Sequence, residues 1–179
     1  MRPLATTLAA ALVAAIACAP VTASAQQVQP PAAAQGQQAP LALTGWVVDA
    51  AQLVEPAREQ AMAAMLAQLE ADTGVQFVVV TTPSLEGQNI EDYSLRLGNG
   101  WGIGSAERDD GVLLVLAPNE RRARIEVGLG LETVLPDSFC AEVIALMLPS
   151  FREERYTDGM AIGMVALDTR LRARLGNGG

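Results

Sequence analysis

Histidine and lysine are both absent from this chain. Without histidine there is no Ser-His-Asp triad, no Cys-His pair, no phosphohistidine chemistry and none of the usual zinc sites. Any metal must then be held by oxygen, which favours calcium, magnesium or manganese. Without lysine, all twelve positive charges are arginine, and against twenty acidic residues they leave a net charge of −8. A domain this acidic is a poor partner for nucleic acid or an anionic membrane surface. Cysteine is nearly missing too. Of Cys18 and Cys140, the first falls in a leader, so Cys140 is left alone and an intrachain disulfide is excluded.

Long apolar runs are equally scarce. The longest, Leu4 to Ala19, follows Arg2, ends at Pro20 and is too short to span a bilayer comfortably. With the small-x-small pattern Ala23-Ser24-Ala25 behind it, residues 1–25 read as a signal peptide cleaved after Ala25. Ala15-Ile16-Ala17-Cys18 loosely resembles a lipobox, which makes lipid anchoring through Cys18 the minor alternative to a periplasmic or secreted protein. Residues 26–43 are rich in Gln, Pro and Ala and carry no charge, the composition of a disordered tether. Residues 44–175 have the size of one domain, and Gly176-Asn177-Gly178-Gly179 reads as a frayed tail. No later segment is apolar enough to form a transmembrane helix.

Within the domain, Trp46-Val47-Val48 is a short apolar entry ending at Asp49. Glu55-Pro56 opens a helix with Ala61, Met62, Met65, Leu66 and Leu69 inward and a stop at Gly74. Val75 to Thr81 reads as a strand covered on both faces. Asn89 caps a helix to about Gly98, followed by a loop punctuated by Gly98, Gly100, Gly102 and Gly104 around Trp101. Val112 to Ala117 is a second buried strand. After a Pro118-Asn119-Glu120 turn, Arg122 to Val127 alternates, with Ala123, Ile125 and Val127 on one face and Arg122, Arg124 and Glu126 on the other, so the pair is a hairpin ending on an exposed edge. Asp137 is placed to cap a helix interrupted by Pro149. Thr157 or Asp158 caps the last helix, with Ile162, Val165, Ala166 and Leu171 inward and three arginines near its negative end. Strands alternating with helices predict an α/β fold, a three-layer α/β/α sandwich on a mixed, mostly parallel sheet containing one β-hairpin.

The chemistry gathers between Trp101 and Asp137. Asp109-Asp110-Gly111 stands where a glycine-rich loop enters a buried strand. It suits metal oxygens on a sharp turn, and it equally suits a turn with no ligand. Asp49 and Asp137, both at element ends, are candidates to complete an oxygen cage, although turn and cap roles explain them as well. Arg122, Arg124 and Glu126 form either a solvated edge or an anion clamp, and the last two are placed to pair with the acidic loop. Gly128-Leu129-Gly130 begins like a dinucleotide fingerprint but lacks the third glycine, since position 133 is Thr133, which argues against nucleotide binding. Cys140 lies on an apolar helix stripe, the place of a buried hydrophobe and not of a nucleophile.

These pieces resemble the TPM domain family, shared by thylakoid-lumen acid-phosphatase-like proteins and bacterial envelope proteins. The matching runs are Val48-Asp49, Thr73-Gly74-Val75-Gln76, Trp101-Gly102-Ile103-Gly104, Asp110 to Leu114, Arg124 to Glu132, Leu135-Pro136-Asp137 and Tyr156-Thr157-Asp158-Gly159. The resemblance implies an α/β/α sandwich and a divalent cation, calcium before magnesium. Asp49, Asp109, Asp110 and Asp137 are the ligands it suggests, with Arg124 and Glu126 as phosphate-binding or supporting groups. Position 110 is Asp where the family often has Asn. The membrane helix and Gly-rich tail of many bacterial relatives are not expected here. Two functions follow: a metal-dependent, phosphatase-like activity on phosphomonoesters, or a non-catalytic calcium-binding module that assists membrane protein complexes of the envelope. No residue in the sequence identifies itself as a nucleophile.

Overall fold

The computed structural model describes residues 39–175. The leader with Cys18, residues 26–38 of the tether, and the tail lie outside them. β1 (Val47–Asp49), α1 (Pro56–Thr73), β2 (Gln76–Thr81), α2 (Ile90–Trp101), β3 (Gly111–Ala117), β4 (Arg122–Val127), α3 (Asp137–Arg152) and α4 (Tyr156–Leu175) follow in the predicted order, with one 3-10 turn at Leu129–Leu131. The sheet runs β1-β2-β3-β4, with β1, β2 and β3 parallel and β4 antiparallel to β3. The mixed sheet and its hairpin are as expected.

Two cores enclose the sheet. Phe77, Val79, Val112 and Leu114 face α1, α3 and α4. Val78, Val80, Leu113 and Val115 face the opposite way, onto Ile90, Tyr93 and Leu97 of α2. All seven residues of β3 are buried, which is why its sequence shows no alternation. At about 25 cal/mol per Å2 of apolar surface, this two-sided burial dominates the stability. No described helix is long and apolar enough to cross a membrane.

Asn89 caps α2 as expected, accepting from the Asp92 N–H at 2.6 Å. The helix does not stop at Gly98. It runs on to Trp101 because its glycines meet close neighbours: a Cβ on Gly98 would lie 3.3 Å from Leu113, and one on Gly100 would lie 2.8 Å from Ala39. Ala39 and Leu41 pack on this core, and the Trp101 indole donates to the Leu41 carbonyl at 2.7 Å, so the packed chain begins ahead of Thr44. Ala61 faces solvent, while Met62, Leu66 and Leu69 are buried.

Four further expectations are corrected at α3 and α4. Pro136, not Asp137, is the N-cap of α3, and Asp137 sits in the first turn without a capping bond. Pro149 falls in the last turn, where it removes a single intrahelical bond and does not break the helix. α4 starts at Tyr156, the Thr157 hydroxyl donates to the Leu53 carbonyl, and Asp158 is held by Arg58 and Arg155. The α4 face turned inward is Gly159, Met160, Gly163, Met164, Leu167 and, as expected, Leu171, whereas Ile162 and Val165 are 41% and 54% exposed. Close packing against α3 selects the glycines. A Cβ on Gly159 would overlap the Phe151 ring, and one on Gly163 would lie 2.6 Å from Met147 Sδ.

Gly159→Ala sets a gain in helix propensity of about 1 kcal/mol against overpacking of about 1–3 kcal/mol. Because the obstacle is a ring, overpacking wins. A lowered urea midpoint at unchanged m is expected, with a net loss of about 1–2 kcal/mol.

Candidate functional site

The loop between α2 and β3 is locked onto the turn after β4 by backbone contacts. Gly128 N–H donates to the Gly111 carbonyl at 2.8 Å, and Gly130 N–H donates to the Asp109 carbonyl at 3.0 Å. A Cβ on Gly128 would overlap the Asp109 carbonyl, and one on Gly130 the Arg108 carbonyl. Gly104 and Gly111 meet the same limit against each other's strand of the loop. The dinucleotide-like Gly128-Leu129-Gly130 is thus explained by a neighbouring backbone.

Asp109 sits on this seam with a φ of 48°. Its Oδ2 accepts from the Leu129 N–H at 3.2 Å. Asp110 is 6% exposed and turns back into its own loop, its Oδ1 accepting from the Ser105 N–H at 2.8 Å and its Oδ2 from Arg108 Nε. Burial pushes the Asp110 carboxyl up, but the Ser105 N–H and the Arg108 guanidinium outweigh it and hold the group below its ordinary range. Asp49 is also fully engaged. Its Oδ1 accepts from Leu53 N–H at 3.0 Å and from the Thr81 hydroxyl, and its Oδ2 accepts from Val54 N–H at 2.8 Å. Asp137 is exposed at the start of α3.

The strand register separates these residues. Asp49 pairs with Thr81, and Thr81 with Leu116, six positions along from Asp110. At about 3.3 Å per residue, Asp49 and Asp110 lie roughly 20 Å apart at opposite ends of the sheet. They do not share a site. Among the described residues no three acidic or cysteine side chains converge into a cation cage.

What does converge is a cleft of ≈ 370 Å3 between α2 and the β3–β4 pair. Asp109, Glu126, Glu132 and Asn99 line it, with Leu95, Ile103 and Leu129. Arg124 does not reach the acidic loop. It bonds its own strand neighbour, Nε to Glu126 Oε2 at 2.6 Å, and the same oxygen accepts from the Ser94 hydroxyl at 2.9 Å. That leaves Glu126 Oε1, Asp109 Oδ1 and the Glu132 carboxylate without a hydrogen bond among the described residues. Sequence reasoning missed Glu132 and Asn99. Glu132 closes the Arg124–Glu132 run that carried the resemblance, while Asn99 was hidden by reading Gly98-Asn99-Gly100 as loop.

Cys140 is buried, and its thiol donates to the Leu135 carbonyl at 3.7 Å. Burial, helped by the Asp137 charge and opposed by Arg124, pushes it up to about 11. In a Cys18→Ser background, a disulfide reagent at pH 8 should label the native protein at least about a hundredfold more slowly than the unfolded chain.

Asp110 supports a pH prediction. Its folded value lies below the unfolded one, so its contribution to stability is complete above about pH 3.9 and is lost as pH falls through the folded value. Asp110→Asn should cost about 1 kcal/mol at pH 7 and lose less stability than wild type between about pH 5 and 2. Parallel urea titrations across that range measure both.

A search of curated proteins gives no match. Among solved structures, the N-terminal domain of a protein from P. gingivalis is similar at 38% identity and a TM-score of 0.69, covering 74% of this chain and 85% of that one. Two more share the fold at 16% identity. The N-terminal domain of the cg2496 protein of Corynebacterium glutamicum has a TM-score of 0.57, covering 78% of this chain and 86% of that one. The BA42 protein of Bizionia argentinensis has a TM-score of 0.60, covering 68% and 83%. The TPM domain profile matches residues 47–170, from the first strand almost to the end of the last helix, and the chain therefore belongs to the TPM domain family.

Proposed function

We propose that this is an exported TPM domain protein whose acidic cleft binds a hard divalent cation, calcium in preference to magnesium, and works as a binding module of the cell envelope. One observation carries the reading: Asp109, Glu126 and Glu132 face one cleft, and Arg124, the arginine beside it, is already bound to Glu126. Asp109 and Glu132 have no cationic partner among the described residues, and carboxylates gathered in a partly apolar cleft repel one another, a repulsion that a cation relieves. The three do not form a closed cage, so an ion here would keep part of its water shell. The exposed Leu95 and Leu129 on the rim suit a protein segment docking beside the ion, which fits assistance to membrane protein complexes of the envelope. Export rests on the leader, residues 1–25.

The second reading is hydrolysis of phosphomonoesters, favoured by the phosphatase label of the family. A bound ion would supply Lewis-acid polarisation and an activated water. The chain's own groups support it less well. Arg124 is not free to clamp phosphate, and the Ser94 hydroxyl is committed to Glu126 and the Glu91 carbonyl. With Cys140 buried elsewhere, water is the remaining nucleophile.

Melting temperature followed through a calcium and then a magnesium titration tests the cation. At a hundredfold excess over Kd, binding adds about 2.7 kcal/mol, a rise of several degrees for a domain of this size. Asp109→Asn keeps the left-handed backbone and the bond to Leu129, and Glu126→Gln keeps the side-chain shape. Each should lose most of that rise. A melting point indifferent to both ions in wild type would overturn the reading. Phosphate release by purified protein that vanishes in Asp109→Asn would promote the second reading over the first.

A further inference from the structure

The other end of the sheet carries the opposite charge. Where β3 turns into β4, a groove of ≈ 620 Å3 opens between that turn and the α3–α4 junction. Arg121, Arg122 and Arg152 line it, with Asn119, Tyr156 and one carboxylate, Glu154. Among the described residues these three arginines form no salt bridge within 4 Å and no side-chain hydrogen bond. Every other described arginine except Arg174 is held by a carboxylate or, for Arg170, by the Val134 carbonyl. No acidic side chain lies outside residues 39–175, so none from there can pair with them, and Glu154 offsets only one of the three charges.

This distribution is unexpected for the composition. With twenty acids and twelve arginines, leftover charges should be carboxylates, yet three of the four arginines without a partner among the described residues share one groove. Gathering them costs mutual repulsion that a bound anion removes. Free guanidinium groups offer planar forks matched to carboxylate and phosphate. The groove is not wholly polar. Leu116, Ala123 and Phe151 supply apolar wall, and the Phe151 and Tyr156 rings pack with centroids 6.1 Å apart. Its volume is that of a small-molecule site. It lies at the carboxyl end of β3, the end at which α/β sheets receive ligands, and α4 begins beside it at Tyr156 with the positive end of its dipole.

We propose that this groove is an anion site, separate from the acidic cleft, for a small organic carboxylate or phosphate joined to an aromatic or apolar body. Arg122 and Arg152 hold the anionic group, and the Phe151–Tyr156 side takes the body. The sites sit at opposite ends of the sheet, so the groove does not depend on a cation in the cleft.

Amide chemical-shift titrations of the mature protein with phenylphosphonate and with benzoate test the assignment. Saturable shifts are expected at residues 119–123 and 151–156. The double variant Arg122→Gln/Arg152→Gln, in which both positions are exposed, should weaken binding at least tenfold. Arg174→Gln, also unpaired but outside the groove, should stay within twofold of wild type, and so should Asp109→Asn, which separates failure here from failure of the cation reading. No saturable shift with either probe, equal weakening by Arg174→Gln, or shifts centred on the acidic cleft would overturn the proposal. Binding seen only with phosphatidylglycerol-containing vesicles, and with neither soluble probe, would also overturn it by making the surface a lipid contact.

Discussion

The acidic end of this protein depends on one contact, the backbone of Arg108 and Asp109 lying directly on the backbone of Gly128 and Gly130. The Gly130 N–H donates to the Asp109 carbonyl across that contact, the Gly128 N–H donates to the Gly111 carbonyl beside it, and the absence of any Cβ permits the approach. Asp109 is fixed there in a left-handed conformation that a bulkier residue resists. The same contact positions the 3-10 turn that carries Glu132 toward the cleft. A side chain at position 128 or 130 would push the two loops apart and dissolve the cleft before altering a single one of its carboxylates. The glycines are therefore as much part of the site as the acids.

The sheet explains why the chemistry lies at its ends. β2 and β3 are buried on both faces, so neither strand can spare a polar side chain except near its termini. β4 is the exception, an edge strand whose outward positions carry Arg124 and Glu126. Those two neutralise each other through Nε and Oε2, and Ser94 of α2 ties the pair to the helix. What the edge contributes is a braced carboxylate with one oxygen left open, which is more useful to a cation than a mobile one.

Much of the architecture was legible in the amino-acid sequence because it rests on periodicity. The buried runs Gln76–Thr81 and Gly111–Ala117, the alternating Arg122–Val127 and the cap at Asn89 each read directly as structure. Two of the failures share a cause. The length of α2 and the inward face of α4 are decided by what a glycine packs against, and α3 persists through Pro149 because that residue falls in its last turn. Gly98, Gly159 and Gly163 look like breaks or gaps along the chain, yet they are the points where another element comes closest. Ile162 and Val165 looked buried because they are apolar. The seam with α3 is too tight for branched side chains, and they were turned outward.

The acidic residues teach a related lesson about sites. Asp49 and Asp110 stood out because they sit at turns, and turns are where carboxylates are consumed. Asp49 accepts two backbone N–H groups and a hydroxyl, and Asp110 accepts an N–H and a guanidinium. Each has spent its oxygens on shaping a loop, and burial makes releasing Asp110 costly. In the cleft, the carboxylate oxygens still able to take a ligand are those no turn has claimed: Glu126 on a strand face, Glu132 after the 3-10 turn, and the free oxygen of Asp109. The arginines obey the same rule in reverse. Those with a carboxylate in reach are committed to it, and three of the four described arginines left without a partner gather at the far end. Function in this chain is best sought among the charges that folding leaves unused.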